Sequence, residues 1–182
     1  MEDQTAITRI KQGDLDGLES LVERYQARAV QAAYLVVFDR ALAEDVAQAA
    51  FIKAAERIRQ FDETRPFAPW FLRIVTNDAL KAARQGQRNL SLDDGPASRF
   101  DESLSAPGLL PEQLLEQAET RRDLLAAVHS LSPEQRAVIT LHYFLDLSEA
   151  DMSARLERPT STIKWWLREA RKHLRNLLDG SR

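Results

Sequence analysis

The stretch SEADMSARLERPTSTIKWWLREARKHLRNLL, residues 148–178, decides the fold of the carboxy-terminal part of the chain. Residues 148–156 have the pattern of a short helix, residues 157–159 form a tight connection ending in proline, and residues 160–178 have the pattern of a longer helix. On a helical wheel four apolar side chains of the longer helix fall within about 60° of one another and predict its buried stripe. They are Ile163, Leu167, Ala170 and Leu174. A short helix, a tight turn and a second amphipathic helix predict a helix-turn-helix.

The opposite side of the longer helix is basic and carries an aromatic ring. Its members span roughly a 100° arc of the wheel. They are Ser161, Lys164, Trp165, Arg168, Lys172 and Arg175. Such a face suits the DNA major groove, because Arg and Lys bind phosphates and guanine edges and an apolar ring contacts a thymine methyl. A solvated charged face is the alternative interpretation of the same pattern.

Apolar residues at helical spacing continue through most of the chain. Apolar residues recur at helical spacing from Leu15 to Val36, and further helical patterns cover about 42–60, 67–86, 112–130 and 133–145. The sequence Ser132-Pro133-Glu134-Gln135 predicts a capping box at the start of one helix, and Ser148 with Asp151 predicts a cap at another. No run alternates between apolar and polar residues as a strand does, so we expect an all-α fold.

Between residues 87 and 111 the apolar residues no longer recur at helical spacing, and Gly and Pro appear among Ser, Asp and Asn. Residues 87–119 carry two basic and seven acidic residues, whereas 158–176 carry six basic residues and one acid. The sequence therefore predicts two small helical domains, 1–86 and 118–182, joined by an acidic flexible linker at 87–117.

The helix at 67–86 also separates an apolar from a basic side. One side carries Phe71, Ile74, Val75 and Ala82, and the other, within roughly an 80° arc, carries Trp70, Arg73, Asn77, Lys81 and Arg84. This second side suits unpaired DNA, since Trp stacks on bases, Asn bonds base edges and the cations hold phosphates. A surface helix with Trp70 packed against its neighbour is the alternative.

The helix at 42–60 has two partly apolar sides. Val46, Ala50, Phe51, Ala54 and Ile58 form one stripe, and Asp45, Gln48, Ala49 and Ile52 lie almost opposite. We expect the first stripe to pack in the core and the second to meet a protein partner.

Composition argues against several other classes of protein. The chain has no cysteine, its first residues are acidic and polar, and no apolar run is long enough to span a membrane. His129, His142 and His173 lie in separate segments without acids at ligand spacing, and there is no glycine-rich phosphate loop. We expect a cytoplasmic protein without metal, cofactor or catalytic site, and without insertion into a membrane.

These segments together resemble the extracytoplasmic-function sigma factors of bacterial RNA polymerase. AEDVAQAAF at 43–51 and RPFAPWFLRIVTN at 65–77 are similar to motifs of the family's region 2. LSPEQR at 131–136, LHYF at 141–144, and TIK at 162–164 followed by Leu167, Ala170, Arg171 and Leu174 are similar to region 4. The resemblance runs in order along nearly the whole chain.

The resemblance implies a role for each surface. Asp45, Gln48, Ala49 and Ile52 would dock on the coiled coil of the β′ subunit of core polymerase. The minus-10 strand of promoter DNA would bind Arg65, Trp70, Arg73, Asn77, Lys81 and Arg84. Region 4 would rest on the β flap and read the minus-35 duplex through Ser161, Thr162, Lys164, Trp165, Arg168, Arg171 and Lys172. An anti-sigma factor is a further implied partner.

The chain departs from the family pattern at several positions. Ala49 stands where an acid is usual, Trp165 and Trp166 replace what are commonly a small residue and an arginine, and Glu169 stands where a basic or polar residue is frequent. Asp146 and Glu157 occupy turn positions where glycine is common, so we expect slightly different turns there. The competing hypothesis is a helix-turn-helix regulator of another class, which would bind duplex DNA without polymerase.

Overall fold

The computed structural model describes residues 2–90 and 111–179, with side chains at 3–86 and 120–178. Within these ranges the chain forms α-helices and no strand, which confirms the all-α expectation. The helices are α1 (Glu2–Lys11), α2 (Asp16–Val37), α3 (Arg40–Arg57), α4 (Phe67–Leu90), α5 (Pro111–His129), α6 (Pro133–Ile139), α7 (Glu149–Leu156) and α8 (Thr160–Asp179). A 3-10 turn, Ile58–Gln60, follows α3, and a π-helical turn, Thr140–Phe144, continues α6.

The ends of the predicted linker are helical. α4 runs to Leu90 and α5 begins at Pro111, so residues 87–90 and 111–117 belong to helices. The expectation of a flexible connection over the remaining residues, 91–110, lies outside the described residues.

Helix α1 is absent from the sequence predictions. It packs against the start of α2 through Ile7 and Ile10, which are buried. The approach is so close that a Cβ on Gly17 would lie 2.4 Å from the carbonyl oxygen of Ala6. Leu15, at which the predicted helical pattern begins, precedes α2 and is exposed. Glycine at position 17 is therefore required by the contact between the two helices.

The amino-terminal core joins α2, α3 and α4. Both α2 and α3 bury a series of alanines, which lets their backbones approach closely; they are Ala29, Ala32, Ala33, Ala43, Ala47 and Ala50. Larger side chains fill the space toward α4, where the rings of Phe51 and Phe71 lie 4.3 Å apart and those of Phe67 and Phe71 are stacked at 5.5 Å. The stripe predicted for α3 is buried as expected.

The carboxy-terminal core forms where α6, α7 and α8 meet. Met152, Ile163 and Leu167 are almost fully enclosed, and Ala170 completes the predicted stripe of α8, with Leu174 half-buried at its end. The capping box at Ser132 and Gln135 is present in full. Ser148 accepts a hydrogen bond from the backbone N–H of Asp151 at 3.2 Å. These caps satisfy N–H groups that have no partner within their own helices.

The turns at Asp146 and Glu157 keep the conformation that glycine favours. Their φ angles are 52° and 51°, in the left-handed region. Our expectation of altered turns was wrong for the backbone, because both residues adopt this region at a steric cost.

The two groups of helices pack against each other. α4 contacts α6, α7 and the π-helical turn, and α2 contacts α6 and the same turn. One face of each domain is therefore covered by the other.

Candidate nucleic-acid and protein-binding surfaces

The predicted docking residues of α3 share one exposed face. Asp45, Gln48, Ala49 and Ile52 are all exposed, and Ile52 leaves 60% of its surface open, which is high for a large apolar side chain. This face lies opposite the buried stripe. An apolar residue presented beside an acid and an amide suits a protein partner more than a nucleic acid.

A groove between α2 and α3 extends this surface. Its volume is about 740 Å³, and Gln48 and Ile52 line its α3 side. The half-buried apolar residues Leu18, Val22, Val30 and Tyr34 line the α2 side, together with polar residues such as Glu23 and Gln26. The sequence analysis used the apolar residues of α2 only to predict a helix and so missed this half of the surface. The available signal was the width of the apolar stripe on α2, which is broader than one packing face needs.

The start of α4 holds an aromatic group beside a loop. Trp70 is half-buried, with its ring centroid 4.9 Å from that of Phe61 and 5.6 Å from that of Phe67. The loop at 61–66 is non-helical, as expected, and Thr64 donates to the side chain of Asp62. Lys11 of α1 reaches the same loop, donating to the carbonyl of Phe61 at 3.3 Å. Trp70 thus packs against the aromatic core while part of its side chain remains exposed.

The polar residues of the predicted face on α4 differ in exposure. Arg65 and Lys81 are exposed, whereas Arg73, Asn77 and Arg84 are half-buried. Nε of Arg73 donates to the carbonyl of Pro69 at 2.7 Å. Burial, together with the nearby charge of Arg155, lowers the pKa of Arg73. The structure places all of them along α4 and its preceding loop, but it does not leave them equally open.

The carboxy-terminal domain partly covers this face. Nε of Arg84 lies 2.8 Å from a carboxylate oxygen of Glu134 in α6. Nδ2 of Asn77 donates to the carbonyl of Arg155 in α7 across 3.5 Å. Oδ1 of Asn77 is buried and has no hydrogen-bond partner among the described residues.

The basic side of α8 is open to solvent. Ser161, Lys164, Trp165, Arg168 and Lys172 are exposed, and Thr162 is half-buried. Lys164 lies 3.7 Å from Glu149, and Arg168 lies 3.6 Å from Glu169, so both cations keep only loose ion pairs. Contacts as weak as these give way readily to phosphates.

The two adjacent tryptophans of α8 occupy different environments. Trp165 is 52% exposed on the basic arc, whereas Trp166 packs against the hydrophobic core. The exposed position of Trp165 agrees with the helical wheel.

Arg171 is held at the edge of the basic side. Its Nε donates to the hydroxyl of Tyr143 at 2.9 Å, and its guanidinium lies 5.6 Å from the centre of that ring. Both residues border an apolar hollow of about 540 Å³ between α5 and α8. Arg171 is exposed, but its contacts direct it away from the centre of the arc.

The described ranges contain neither a metal-binding cluster nor a membrane-spanning helix. No group of three His, Asp or Glu side chains there is placed to hold a metal ion. No helix there is long and apolar enough to cross a membrane.

Sequence comparison relates both domains to one family. The family model described as Sigma-70 region 2 matches residues 21–89, and that described as Sigma-70, region 4 matches residues 121–174. The chain is 31% identical over 176 residues to the ECF RNA polymerase sigma factor SigW of Bacillus subtilis, covering 94% of each chain. It is 29% identical over 184 residues to the ECF RNA polymerase sigma-E factor of Escherichia coli K12, covering 97% of this chain and 94% of the relative.

Solved structures share the fold. CnrH in complex with the cytosolic domain of CnrY has a TM-score of 0.61 at 22% identity, with both chains covered completely. RpoE of Bartonella quintana in complex with the anti-sigma factor NepR has a TM-score of 0.66 at 23% identity, covering 90% of this chain and 98% of the other. Full-length similarity to curated relatives and matches to both regions, in this order along the chain, lead to one conclusion: the chain belongs to the extracytoplasmic-function family of RNA polymerase sigma factors.

Proposed function

We propose that this chain directs transcription by docking on core RNA polymerase through α3 and the α2–α3 groove, holding the unpaired minus-10 strand on α4 and reading the minus-35 duplex with α8. The observation that carries the proposal is the exposed row Asp45, Gln48, Ala49 and Ile52 on α3, opposite the core stripe. A factor that only bound duplex DNA would have no need for this surface. We place its action in the cytoplasm, where bacterial polymerase and promoter DNA are found.

Docking would combine apolar burial with a charge. Ile52 and the apolar wall of the groove supply area to cover, while Asp45 supplies a negative group on the same face. Ala49 carries no charge, so the electrostatic share rests on fewer groups than the family pattern implies. Complementary charge at such an interface contributes mainly to the association rate and to specificity.

The minus-10 strand would lie along α4. Trp70 offers a half-buried indole ring for stacking, Asn77 offers an amide for a base edge, and Arg73, Lys81 and Arg84 offer positive charge. In this proposal the first domain, which α4 extends to residue 90, binds single strands, and the second domain, which begins with α5 at residue 111, binds duplex DNA.

The exposed side of α8 would bind the minus-35 duplex. Lys164, Arg168 and Lys172 would contact phosphates, and Ser161, Thr162 and Trp165 would meet base edges. Region 4 would rest on the β flap. We extend the proposal to an anti-sigma factor as inhibitory partner, since the solved RpoE structure holds one.

The test uses purified core polymerase, binding measurements and run-off transcription. Asp45→Arg should weaken binding to core and lower promoter-directed transcription, because the substitution removes a favourable pairing and adds repulsion on the docking face. Glu19→Arg, at an exposed acid of α2 outside the groove lining, is the matched control and should behave as the parent chain.

Binding of duplex promoter DNA without any affinity for core polymerase would contradict the proposal and favour the competing regulator hypothesis. Equal affinity of the Asp45→Arg and Glu19→Arg variants for core would leave the chain a sigma factor but would remove Asp45 from the docking face.

A further inference from the structure

A cation of α1 bonds to the loop that precedes α4. Nζ of Lys11 donates to the carbonyl oxygen of Phe61 at 3.3 Å and lies 2.5 Å from a carboxylate oxygen of Glu63. Nε2 of Gln4, about two turns earlier on the same side of α1, donates to the backbone carbonyl of Glu63 at 3.4 Å. The loop at 61–66 is therefore held from one side of α1.

Helix α1 is itself anchored on α2 by contacts that do not involve this loop. Ile7 and Ile10 are buried, and the hydroxyl of Tyr25 in α2 donates to Asp3 at 2.5 Å. Arg24 of α2 pairs with the same carboxylate. Burial and the hydrogen bond to Asp3 raise the pKa of Tyr25 to about 12, so its hydroxyl stays protonated at neutral pH and keeps donating. Helix α1 thus provides a fixed support for the loop.

The position of the loop affects the proposed minus-10 face directly. Phe61 is buried, and its ring centroid lies 4.9 Å from that of Trp70 and 5.8 Å from that of Phe67. Near the end of the loop, the backbone N–H of Arg65 donates to the carbonyl of Asp62 at 3.0 Å. A shift of the loop backbone therefore moves both the ring that packs against Trp70 and the segment that carries Arg65.

The loop's internal hydrogen bonds fix its shape but not its place on the domain. Asp62 accepts from the backbone N–H of Thr64 at 3.0 Å and from its hydroxyl at 2.6 Å, so both bonds join residues of the loop to each other. Lys11 joins the loop to another helix. Its side chain is 24% exposed and that of Glu63 is 38% exposed. The charge of Lys11 is thus already matched by a carboxylate, which suits it to hold the loop more than to bind a phosphate.

We propose that Lys11 is a positioning residue for minus-10 recognition, which sets the place of the 61–66 loop and, through the loop, that of Trp70 and Arg65. Lys11 does this without contacting DNA. The inference rests on the proposed function, since it takes the loop and α4 as the minus-10 face. Groups that recognise a base discriminate well only when neighbouring residues hold them close to the productive geometry.

The test uses the full-length chain, purified core polymerase and a promoter library randomised at minus-10. Lys11→Met keeps the length of the side chain and removes both of its bonds to the loop. It should lower the enrichment of the parental minus-10 sequence by roughly threefold to tenfold, between the effect of an exposed ion pair and that of a charged hydrogen bond. Lys11→Arg, which keeps the charge and the reach, should retain the parental preference. Selection from a library randomised at minus-35 should be unchanged in both variants.

Asp3→Ala is the matched control. It removes the partner of Arg24 and Tyr25 at the other end of α1 and leaves the bonds from Lys11 to the loop in place. Both Asp3→Ala and Lys11→Met should lower the unfolding temperature, but only Lys11→Met should change minus-10 selection. An equal loss of selection in the two variants would show that Lys11 merely stabilises α1, and it would overturn the proposal.

Glu63→Gln separates positioning from contact with a phosphate. It removes the carboxylate partner of Lys11 and makes the chain more positive, whereas Lys11→Met makes it more negative. Positioning predicts weaker minus-10 selection in both variants, despite these opposite changes in charge. A phosphate contact predicts that Lys11→Met lowers DNA affinity evenly across sequences, with a shallower salt dependence, and that Glu63→Gln raises it. That second pattern overturns the proposal, as does parental minus-10 selection by Lys11→Met.

If Lys11→Met does not fold, Glu63→Gln decides the question, because parental minus-10 selection by that variant also overturns the proposal. Failure of the proposed function is distinguishable from these outcomes, since the parent chain would then give no run-off transcript with core polymerase.

Discussion

The exposed ring of Trp165 leads to the prediction with the clearest outcome. Trp165→Ala removes a side chain that is 52% exposed on the basic side of α8, while its neighbour Trp166 packs against the core. Because the two positions are adjacent in sequence and differ in environment, Trp166→Ala is the natural control. We expect the first substitution to change DNA reading and the second to change folding.

The magnitude follows from the exposed area. A tryptophan side chain buries on the order of 200 Å² when enclosed, so roughly 100 Å² of Trp165 is available to a partner. Covering that area contributes about 2.5 kcal/mol at ~25 cal/mol per Å². Ordering of the interface reduces the gain, and a loss of about 1–3 kcal/mol of discrimination at one or two base positions is expected. Folding stability should change far less than in Trp166→Ala, which we expect to cost about 2–4 kcal/mol.

The assay pairs thermal unfolding of each variant with selection by the holoenzyme from a promoter library randomised at minus-35. Trp165→Ala should unfold within a few degrees of the parent chain and select a broader set of sequences. The opposite pattern, a large fall in unfolding temperature with the parental sequence preference retained, would refute this view of α8 and make Trp165 a packing residue.

Three further outcomes are expected. Asn77→Ala should impair open-complex formation more than initial promoter binding, because the amide acts only on unpaired DNA, and a normal permanganate footprint would contradict it. Lys172→Ala should weaken duplex binding evenly across sequences and reduce the slope of log affinity against log salt by about one, whereas an unchanged slope would show that Lys172 contacts no phosphate. Glu157→Gly should raise the free energy of unfolding by up to about 1 kcal/mol, as measured by thermal unfolding. Glycine adopts a φ of 51° without the steric cost that glutamate has there. A lower free energy of unfolding would mean that the side chain of Glu157 stabilises the fold by more than its backbone conformation costs.

Helix positions were largely predictable because they depend on local spacing. The buried stripes of α3 and α8 were read from apolar residues at helical intervals, and the caps at Ser132 and Ser148 from a hydroxyl placed before a helix. Helix α1 was missed because it is short and buries only three apolar side chains, Ala6, Ile7 and Ile10. A glycine inside the α2 pattern was the remaining signal, since it marks a close approach by another element.

The contact between the domains lay beyond sequence reasoning. Arg84 and Asn77 were assigned to DNA from their residue type and wheel position, and nothing in that pattern separates a phosphate from the carboxylate of Glu134. A polar side chain binds whichever complementary group the tertiary structure brings near it. The wheel therefore located the polar face of α4 but not its occupant in the free chain.

The alanines buried in α2 and α3 limit how this sequence can vary. At Ala32, Ala33, Ala43 and Ala50 no surface is left open, so each added methylene must displace a neighbouring helix. Enlarging such a position typically costs about 1–3 kcal/mol, while a change to glycine leaves the helices in place and costs about 1 kcal/mol in helix propensity. Larger side chains at these positions would push α2 and α3 apart and change the shape of the neighbouring groove, so the buried alanines maintain the helix spacing on which the groove depends.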